Sequence, residues 1–374
     1  MRVLVDASCL MPPLTGVGHY ARAIIERLPS TLGHAEWRYF TGLGWNRNLR
    51  PPPNLSGSLL RRVPGARLAW HAVRAGLWRL GKPVVPGGRA VCFAPNFRPT
   101  YSFEPCVPVV HDLSFIRHPG THPPSRLAWL AGLGAVLEAA PRIIAVSPFT
   151  ARELAGHYGV APEKIRVAPP GLRPSLLESA PAGPAALAEL GLVERSYFLC
   201  VGTLEPRKNL NTLVAAYARL PQALRQRVPL VLAGASGWGE WGGGRPWRDL
   251  MARGELRLLS YVREDLLPGL YGAALAHCTP SLYEGFGMPV AESLCRGSPV
   301  LVSDAGALPE TAGPGGLILP ALDVEAWTAA LARIAEDEEL RGRLSEAGRR
   351  HVLRYCWNAS AALVGAALAE AWAA

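Results

Sequence analysis

Two glutamates, Glu284 and Glu292, stand eight positions apart with Gly285-Phe286-Gly287-Met288-Pro289 between them. Carboxylates are the acceptors that a hydroxyl-rich ligand needs, and the intervening run supplies backbone donors. Gly285 and Gly287 leave the main chain uncovered. Pro289 suits the first position of a helix, where the N–H it lacks would be unpaired, and Gly297 suits the position just past a helix end. The spacing therefore predicts a helix over 289–296 with the amides of Phe286, Gly287 and Met288 at its positive end, which is a place that takes phosphate. Glu292 would fall in the first turn, where a carboxylate can accept ribose hydroxyls. Glu284, nearer the loop, could accept hydroxyls of a sugar. Alone, the pair would say little: Glu292 could equally complement the helix dipole and Glu284 could be a solvated loop residue. The glycine and proline run between them favours a ligand that carries phosphate.

A second charged pair points the same way. Arg207 and Lys208 precede an apolar helical face of Leu210, Leu213, Val214, Tyr217 and Leu220. Cations at a helix start oppose its dipole unless an anion lies between them, so the placement favours a diphosphate over a merely solvated helix start. His111 closes the apolar run Val107-Pro108-Val109-Val110 with Asp112 beside it, at a strand end where a ligand would pass. Gly16 and Gly18 follow the first strand in Thr15-Gly16-Val17-Gly18-His19-Tyr20; a lone Gly-x-Gly is also an ordinary turn.

These residues need elements to hold them at strand ends. Strand and helix signals alternate along the chain, which argues for parallel sheets with helices on both faces. Expected strands lie at 3–5, 37–40, 91–94, 107–110, 143–146 and 165–167, then at 197–201, 230–233, 257–259, 275–279, 300–302 and 316–319. Met11 to Gly18 reads as a loop before a helix with Ala21, Ile24, Ile25 and Leu28 on its apolar face. Pro169-Pro170-Gly171 and the alanine and proline run from Ser179 to Ala186 mark a linker. In open sheets of this kind ligands sit at the carboxyl ends of strands, where each motif above falls.

Length and composition bound the rest. At 374 residues, nearly half of them apolar, two domains are the natural expectation. Seven cysteines without a C-x-x-C pair read as reduced thiols of a cytoplasmic protein. The apolar start is cut by Asp6 and reads as a first strand, and only the alanine-rich tail after Trp357 approaches the length of a membrane span. A net charge of +10 suits nucleic acid, acidic lipid or anionic small molecules, and the arginine preference could reflect base composition alone. Arg67, His71, Arg74, Trp78 and Lys82 recur at helical spacing within 61–82. This segment is either a helix that contacts anionic lipid or a surface helix. No D-x-D triplet occurs, so fixed cations and helix ends would have to offset diphosphate charge.

The segment from Ser281 to Glu292 resembles the Glu-x7-Glu signature of family 4 retaining glycosyltransferases of GT-B architecture. Tyr197 to Leu210 is similar to that family's donor-phosphate strand, loop and helix. Ala145 to Thr150 with Ala161 to Ile165 resembles its last N-domain unit, and Val302 to Glu310 the unit after the glutamates. The likeness spans nearly the whole chain and is weakest over 41–90. It implies an α/β fold of two Rossmann-like, doubly wound domains facing across a cleft. The N-terminal acceptor domain would take 1–173 and a returning C-terminal helix at about 356–374, and the donor domain 190–355.

The resemblance also implies roles. Gly16 and Gly18 would cover donor phosphates and border the acceptor, and His111 would contact the transferred sugar. Tyr261 and Val262 would hold the base, although ordinary packing explains Tyr261 nearly as well. Thr203 stands where many relatives carry a further arginine, which leaves the phosphate charge to Arg207 and Lys208. Gly285, Phe286, Gly287, Met288 and Glu292 would complete the donor site and Glu284 would orient the sugar. The form of the phosphate loop resembles bacterial mannosyl- and rhamnosyltransferases of surface-polysaccharide assembly. The expected reaction is retaining transfer of a hexose from a nucleotide diphosphate sugar, with GDP the first expectation, to a glycan or lipid-linked acceptor. It would use no cofactor or metal and take place in the cytoplasm or at the inner face of the membrane. Alternatives are a sugar-nucleotide 2-epimerase of the same fold and a nucleic-acid-binding protein, the latter resting on charge alone.

Overall fold

The computed structural model describes residues 1–10, 14–41, 45–49, 88–100, 103, 105–178 and 184–374. The segment 61–82 lies outside the described residues. Two compact units emerge: residues 1–113, 124–171 and 356–374 form the first, and 114–123 with 172–355 form the second.

In the first unit seven strands, β1 (Arg2–Asp6), β2 (Glu36–Phe40), β3 (Trp45–Asn46), β4 (Val91–Ala94), β5 (Cys106–Val110), β6 (Ile143–Ala145) and β7 (Ile165–Val167), pair in the order β3-β2-β1-β4-β5-β6-β7. The pairs are parallel except β2 with β3, an antiparallel edge that the alternating pattern did not foreshadow. Val3, Val91, Val107, Ile143 and Ile144 are buried completely, because strands covered on both faces must be apolar throughout. The helix Gly16–Thr31 buries Ala21, Ile24, Ile25 and Leu28. It begins at Gly16, where His19 N–H donates to the carbonyl of an extended Thr15, so Gly16 and Gly18 occupy a first helical turn and not the expected loop.

The tail returns to this unit as the helix Trp357–Ala373, the core partner of Gly16–Thr31. Trp357 meets Tyr20 edge to face, and a Cβ on Gly365 would come within 2.7 Å of Thr31. Its Val364, Ala367, Leu368 and Ala371 are buried, so its apolar length serves a protein core.

The second unit repeats the architecture with β8 (Phe198–Val201), β9 (Leu230–Ala233), β10 (Leu256–Leu259), β11 (Ala276–Thr279), β12 (Val300–Ser303) and β13 (Gly316–Leu319), all parallel in the order β10-β9-β8-β11-β12-β13. Strand order reverses between β8 and β11, and such a switch point opens a crevice beyond the strand ends. Phe198, Leu213, Val214, Tyr217, Leu230 and Trp327 fill the core on one face. Leu199, Val231, Leu270 and Tyr271 fill it on the other.

The expected unbroken span 1–173 is interrupted, because 114–123 groups with the second unit. Trp238 Nε1 donates to the Thr121 carbonyl at 2.7 Å, and the His118 ring meets Tyr283 edge to face at 5.9 Å. Such side-chain anchoring leaves no composition signal.

Candidate functional site

The loops after β8 and β11 flank the switch point of the second unit, and the charged residues singled out in the sequence meet there. Arg207 and Lys208 lie in the 3-10 turn Pro206–Lys208, one turn before the expected helix, which starts at Leu210. Asn209 causes the break: it adopts φ +53°, and its amide donates to the carbonyls of Pro280 and Ala321 at 3.0 and 2.7 Å. The turn thereby aims both cations at the loop after β11.

Glu284 receives them. Lys208 Nζ donates to its Oε1 at 2.7 Å, Ser281 Oγ donates to the same oxygen at 2.8 Å, and Arg207 lies 3.0 Å from Oε2. Arg207 also pairs with Glu205 at 2.6 Å and donates to the Tyr283 carbonyl. Thus Glu205 and Glu284 already sit against the two cations, and an external anion is not needed to explain their placement. Burial by itself pushes the Glu284 carboxyl up, but Arg207 and Lys208, with hydrogen bonds from Lys208 and Ser281, outweigh it and hold the group down at about 2. Burial first, and then the Lys208 charge, depresses His277, beneath the cluster in β11, to about 3.

The helix predicted over 289–296 runs Met288–Cys295. Gly287 precedes it at φ +91°, and a Cβ there would also come within 2.9 Å of Leu308 Cδ2, so only glycine fits. Gly306, at φ +67°, lets the loop after β12 close on Glu284, whose carbonyl would lie 2.3 Å from an added Cβ. Ala307 N–H donates to that carbonyl at 2.8 Å and Thr311 donates to the Phe286 carbonyl, which pins Gly285 and Phe286 from outside. The N–H groups of Phe286, Gly287 and Met288 find no acceptor among the described residues, as expected at a helix start.

Because the helix starts at Met288, Glu292 lies in its second turn, not the expected first. It is buried, and both of its oxygens are engaged. Arg173 donates to Oε1 from Nε at 2.8 Å and forms an ion pair with the same oxygen from a terminal nitrogen at 2.6 Å, while Tyr271 donates to Oε2 at 2.8 Å. Burial first, then the Glu292 charge, pushes the Tyr271 phenol up, so it stays a donor.

The remaining candidates are more dispersed. Thr203 follows Gly202 beside the phosphate-type loop, and a Cβ on Gly237 would lie 2.8 Å from its methyl. Tyr261 and Val262 follow the edge strand β10, two places from β8; Tyr261 is 60 % exposed, whereas Val262 packs against the core. His111, Gly16 and Gly18 belong to the first unit. There, His111 Nε2 donates to the Pro95 carbonyl at 2.8 Å, and the ring meets Tyr20 and Phe97 edge to face. Burial lowers its pKa to about 4 against the opposing pull of the Pro95 bond and Asp112, so the imidazole is neutral.

Sequence reasoning missed Glu205, Ser281, Tyr271 and Arg173. Glu205 and Ser281 are visible afterwards as the polar residues that flank the two motifs. Arg173, 119 positions before its partner, reads as part of a linker and carries no local signal.

The model of glycosyl transferases group 1 matches residues 187–351, and that of glycosyltransferase family 4 matches residues 92–176. The chain is 30% identical over 380 residues to O-antigen chain mannosyltransferase B of Escherichia coli, an alignment that covers 96% of each protein. Among solved structures, WaaG, a glycosyltransferase involved in lipopolysaccharide biosynthesis, superimposes with a TM-score of 0.68 at 18% identity over 97% of this chain and 99% of its own. HepE of Anabaena, in complex with UDP and glucose, does so with 0.69 at 18% identity over 99% of both. Those two likenesses establish the GT-B fold, and the E. coli relative with the two family models establishes more: the chain belongs to the family 4, group 1 glycosyltransferases and is a glycosyltransferase.

Proposed function

We propose that this enzyme transfers a hexose of the mannose or rhamnose type, with retention, from a GDP-linked donor to a hydroxyl of a glycan or lipid-linked acceptor in polysaccharide assembly. The observation that carries the reading is the ionised Glu284 between Arg207 and Lys208 at the switch point between β8 and β11. The sugar class rests on the name of the E. coli relative, and the lipid-linked acceptor on the net charge of +10 and the basic, tryptophan-bearing pattern of 61–82.

When the bond from the anomeric carbon to the diphosphate oxygen breaks, negative charge grows on the leaving group. Arg207, Lys208 and the amides of Phe286, Gly287 and Met288 are the groups available to stabilise it, already oriented by the fold. They make metal unnecessary for this step. Glu284 is held ionised by its cations, which suits it to accept sugar hydroxyls and unsuits it as a nucleophile. The acceptor oxygen then bonds the anomeric carbon on the face the diphosphate leaves, and its proton passes to a donor phosphate oxygen. His111 uses Nε2–H on Pro95, so its contribution to the sugar is the neutral Nδ1 acceptor. Gly16 and Gly18 leave a helix start bare for the phosphates, Thr203 lines their loop, Tyr261 and Val262 contact the base, and Glu292 accepts from ribose.

The test is a thermal-shift series with GDP-mannose, GDP-rhamnose, UDP-glucose and dTDP-rhamnose, followed by NMR of the product's anomeric centre. A donor at 100 times its Kd should stabilise by about 2.7 kcal/mol. The reading expects a GDP-sugar to protect most and the anomeric configuration to be kept. Protection by the UDP- or dTDP-sugar alone overturns the base assignment, an inverted product overturns retention, and no protection by any of them overturns the site.

A further inference from the structure

One buried polar side chain beneath the site has no part in the chemistry described above. His277 is completely buried in β11, in register with Leu199 of β8 and on the face filled by Leu199, Leu270 and Tyr271. An apolar side chain would suit that position without the cost of desolvating an imidazole. What it could not do is accept a hydrogen bond. Successive amides of a strand point to opposite sides, and the Gly202 N–H donates to the Ala233 carbonyl of β9, so the Val201 N–H turns towards β11. The ladder there ends one step earlier, at Leu199 opposite His277. His277 Nε2 takes the Val201 N–H at 3.3 Å. An accepting Nε2 carries no proton, so the ring proton is on Nδ1, which lies 3.4 Å from Thr279 Oγ1. Tyr271 meets the ring edge to face at 5.8 Å and holds its orientation.

The amide so held is the last of β8 before the phosphate-type loop. Gly202, next in the chain at φ +149°, forms the floor under Lys208: a Cβ on it would lie 3.4 Å from both Cε and Nζ. The same Nζ donates to Glu284. From the β9 side this floor is held by the Gly202 N–H bond and by the close approach of Gly234 to the Gly202 carbonyl. From the β11 side it is held through Val201 by His277. We infer that His277 is a positioning residue for the transfer reaction: by accepting the Val201 N–H where β8 and β11 part, it fixes the floor of the phosphate loop and, through it, the direction of Lys208 Nζ. The inference rests on the reading of Lys208 as a group that faces the donor diphosphate. It adds that the acceptor atom on His277, and not the bulk of the ring, sets the affinity for the diphosphate part of the donor.

The test is calorimetric binding of GDP, UDP, guanosine and uridine to the full chain and to its His277→Leu and His277→Gln variants. Leucine fills the space without an acceptor, whereas glutamine carries an amide oxygen at the reach of Nε2. The diphosphate that the native enzyme binds should lose at least about fivefold in affinity for His277→Leu and stay within about twofold for His277→Gln, with its nucleoside unchanged in both. A residue that serves stability alone would lower the unfolding midpoint of His277→Leu and leave the ratio of diphosphate to nucleoside affinity as it was. That result, or an equal loss of diphosphate affinity in both variants, overturns the inference and leaves Lys208 at the phosphates. If the native enzyme binds neither diphosphate more tightly than its nucleoside, Lys208 is not at the phosphates and the inference falls with that reading. Should His277→Leu not fold, nitrogen NMR of the native imidazole decides. Its Nε2 signal should be that of an unprotonated nitrogen and should shift with the diphosphate but not with the nucleoside. A protonated Nε2, or a signal that ignores the diphosphate, overturns the inference.

Discussion

His111 in the first unit and Glu284 in the second are equally hidden, each 9 % exposed just beyond a buried parallel strand, yet they settle in opposite charge states. Burial pushes both toward neutrality. His111 yields, to a pKa of about 4, because it is buried among the Tyr20 and Phe97 rings, and neither the Pro95 carbonyl nor Asp112 is strong enough to reverse the effect. Glu284 does not yield, because two cations and a hydroxyl converge on its oxygens. Equal burial therefore gives a neutral acceptor in one unit and a fixed ionic cluster in the other, and the counter-charge decides which.

Removing the counter-charge should show the largest effect. Glu284→Gln leaves Arg207 and Lys208 facing each other with only Glu205 to compensate, and breaking a buried pair from one side costs about 3 kcal/mol. Denaturant unfolding should show a loss of that order together with loss of transfer. A variant as stable as the native chain would mean that the cluster is solvated.

The second effect is a pH dependence of similar origin and opposite chemistry. The His111 pKa is lower folded than unfolded, so the unfolded chain binds the extra proton first. His111 therefore adds stability that is complete above about 6.5 and lost as pH falls towards about 4. The shift corresponds to about 3 kcal/mol at roughly 1.4 kcal/mol per unit. His277, lowered to about 3, adds a similar slope from the second unit. Urea unfolding from pH 7 to pH 4 should show the native chain losing stability faster than His111→Gln. Parallel profiles would mean that His111 is hydrated in the folded state. Glu284 acts lower, with stability present above 4.5 and lost as pH falls towards about 2.

The smallest effect expected is none: with fixed cations at the leaving group, transfer should continue at an unchanged rate in chelator. Loss of rate in EDTA, restored by magnesium or manganese, would mean that Arg207 and Lys208 do not suffice.

The sheets were legible because strands covered on both faces must be apolar in unbroken runs, and Phe198 to Val201 or Val300 to Ser303 can hardly be read otherwise. The Gly287 turn was legible because few other residues could fill it. Helix starts were less so: Asn209 delays one and Met288 advances another, and each shift by a residue or two changes which way a charge points. The partners of the charged groups were not legible. Arg173 reaches Glu292 across 119 residues through the packing of a whole unit, and periodicity carries no information at that distance. The two cations looked as though they required an external anion because Glu205 and Glu284 could not be placed against them from sequence.

The central claim is that Arg207 and Lys208 face the donor diphosphate as well as Glu284. Calorimetric affinities of guanosine and GDP for the native chain and for Lys208→Ala test it most directly. GDP should lose at least about tenfold in affinity, the scale of a charge-assisted hydrogen bond, while guanosine binds as before. Equal losses for both ligands, or no loss for GDP in a variant that keeps its fold, would contradict it.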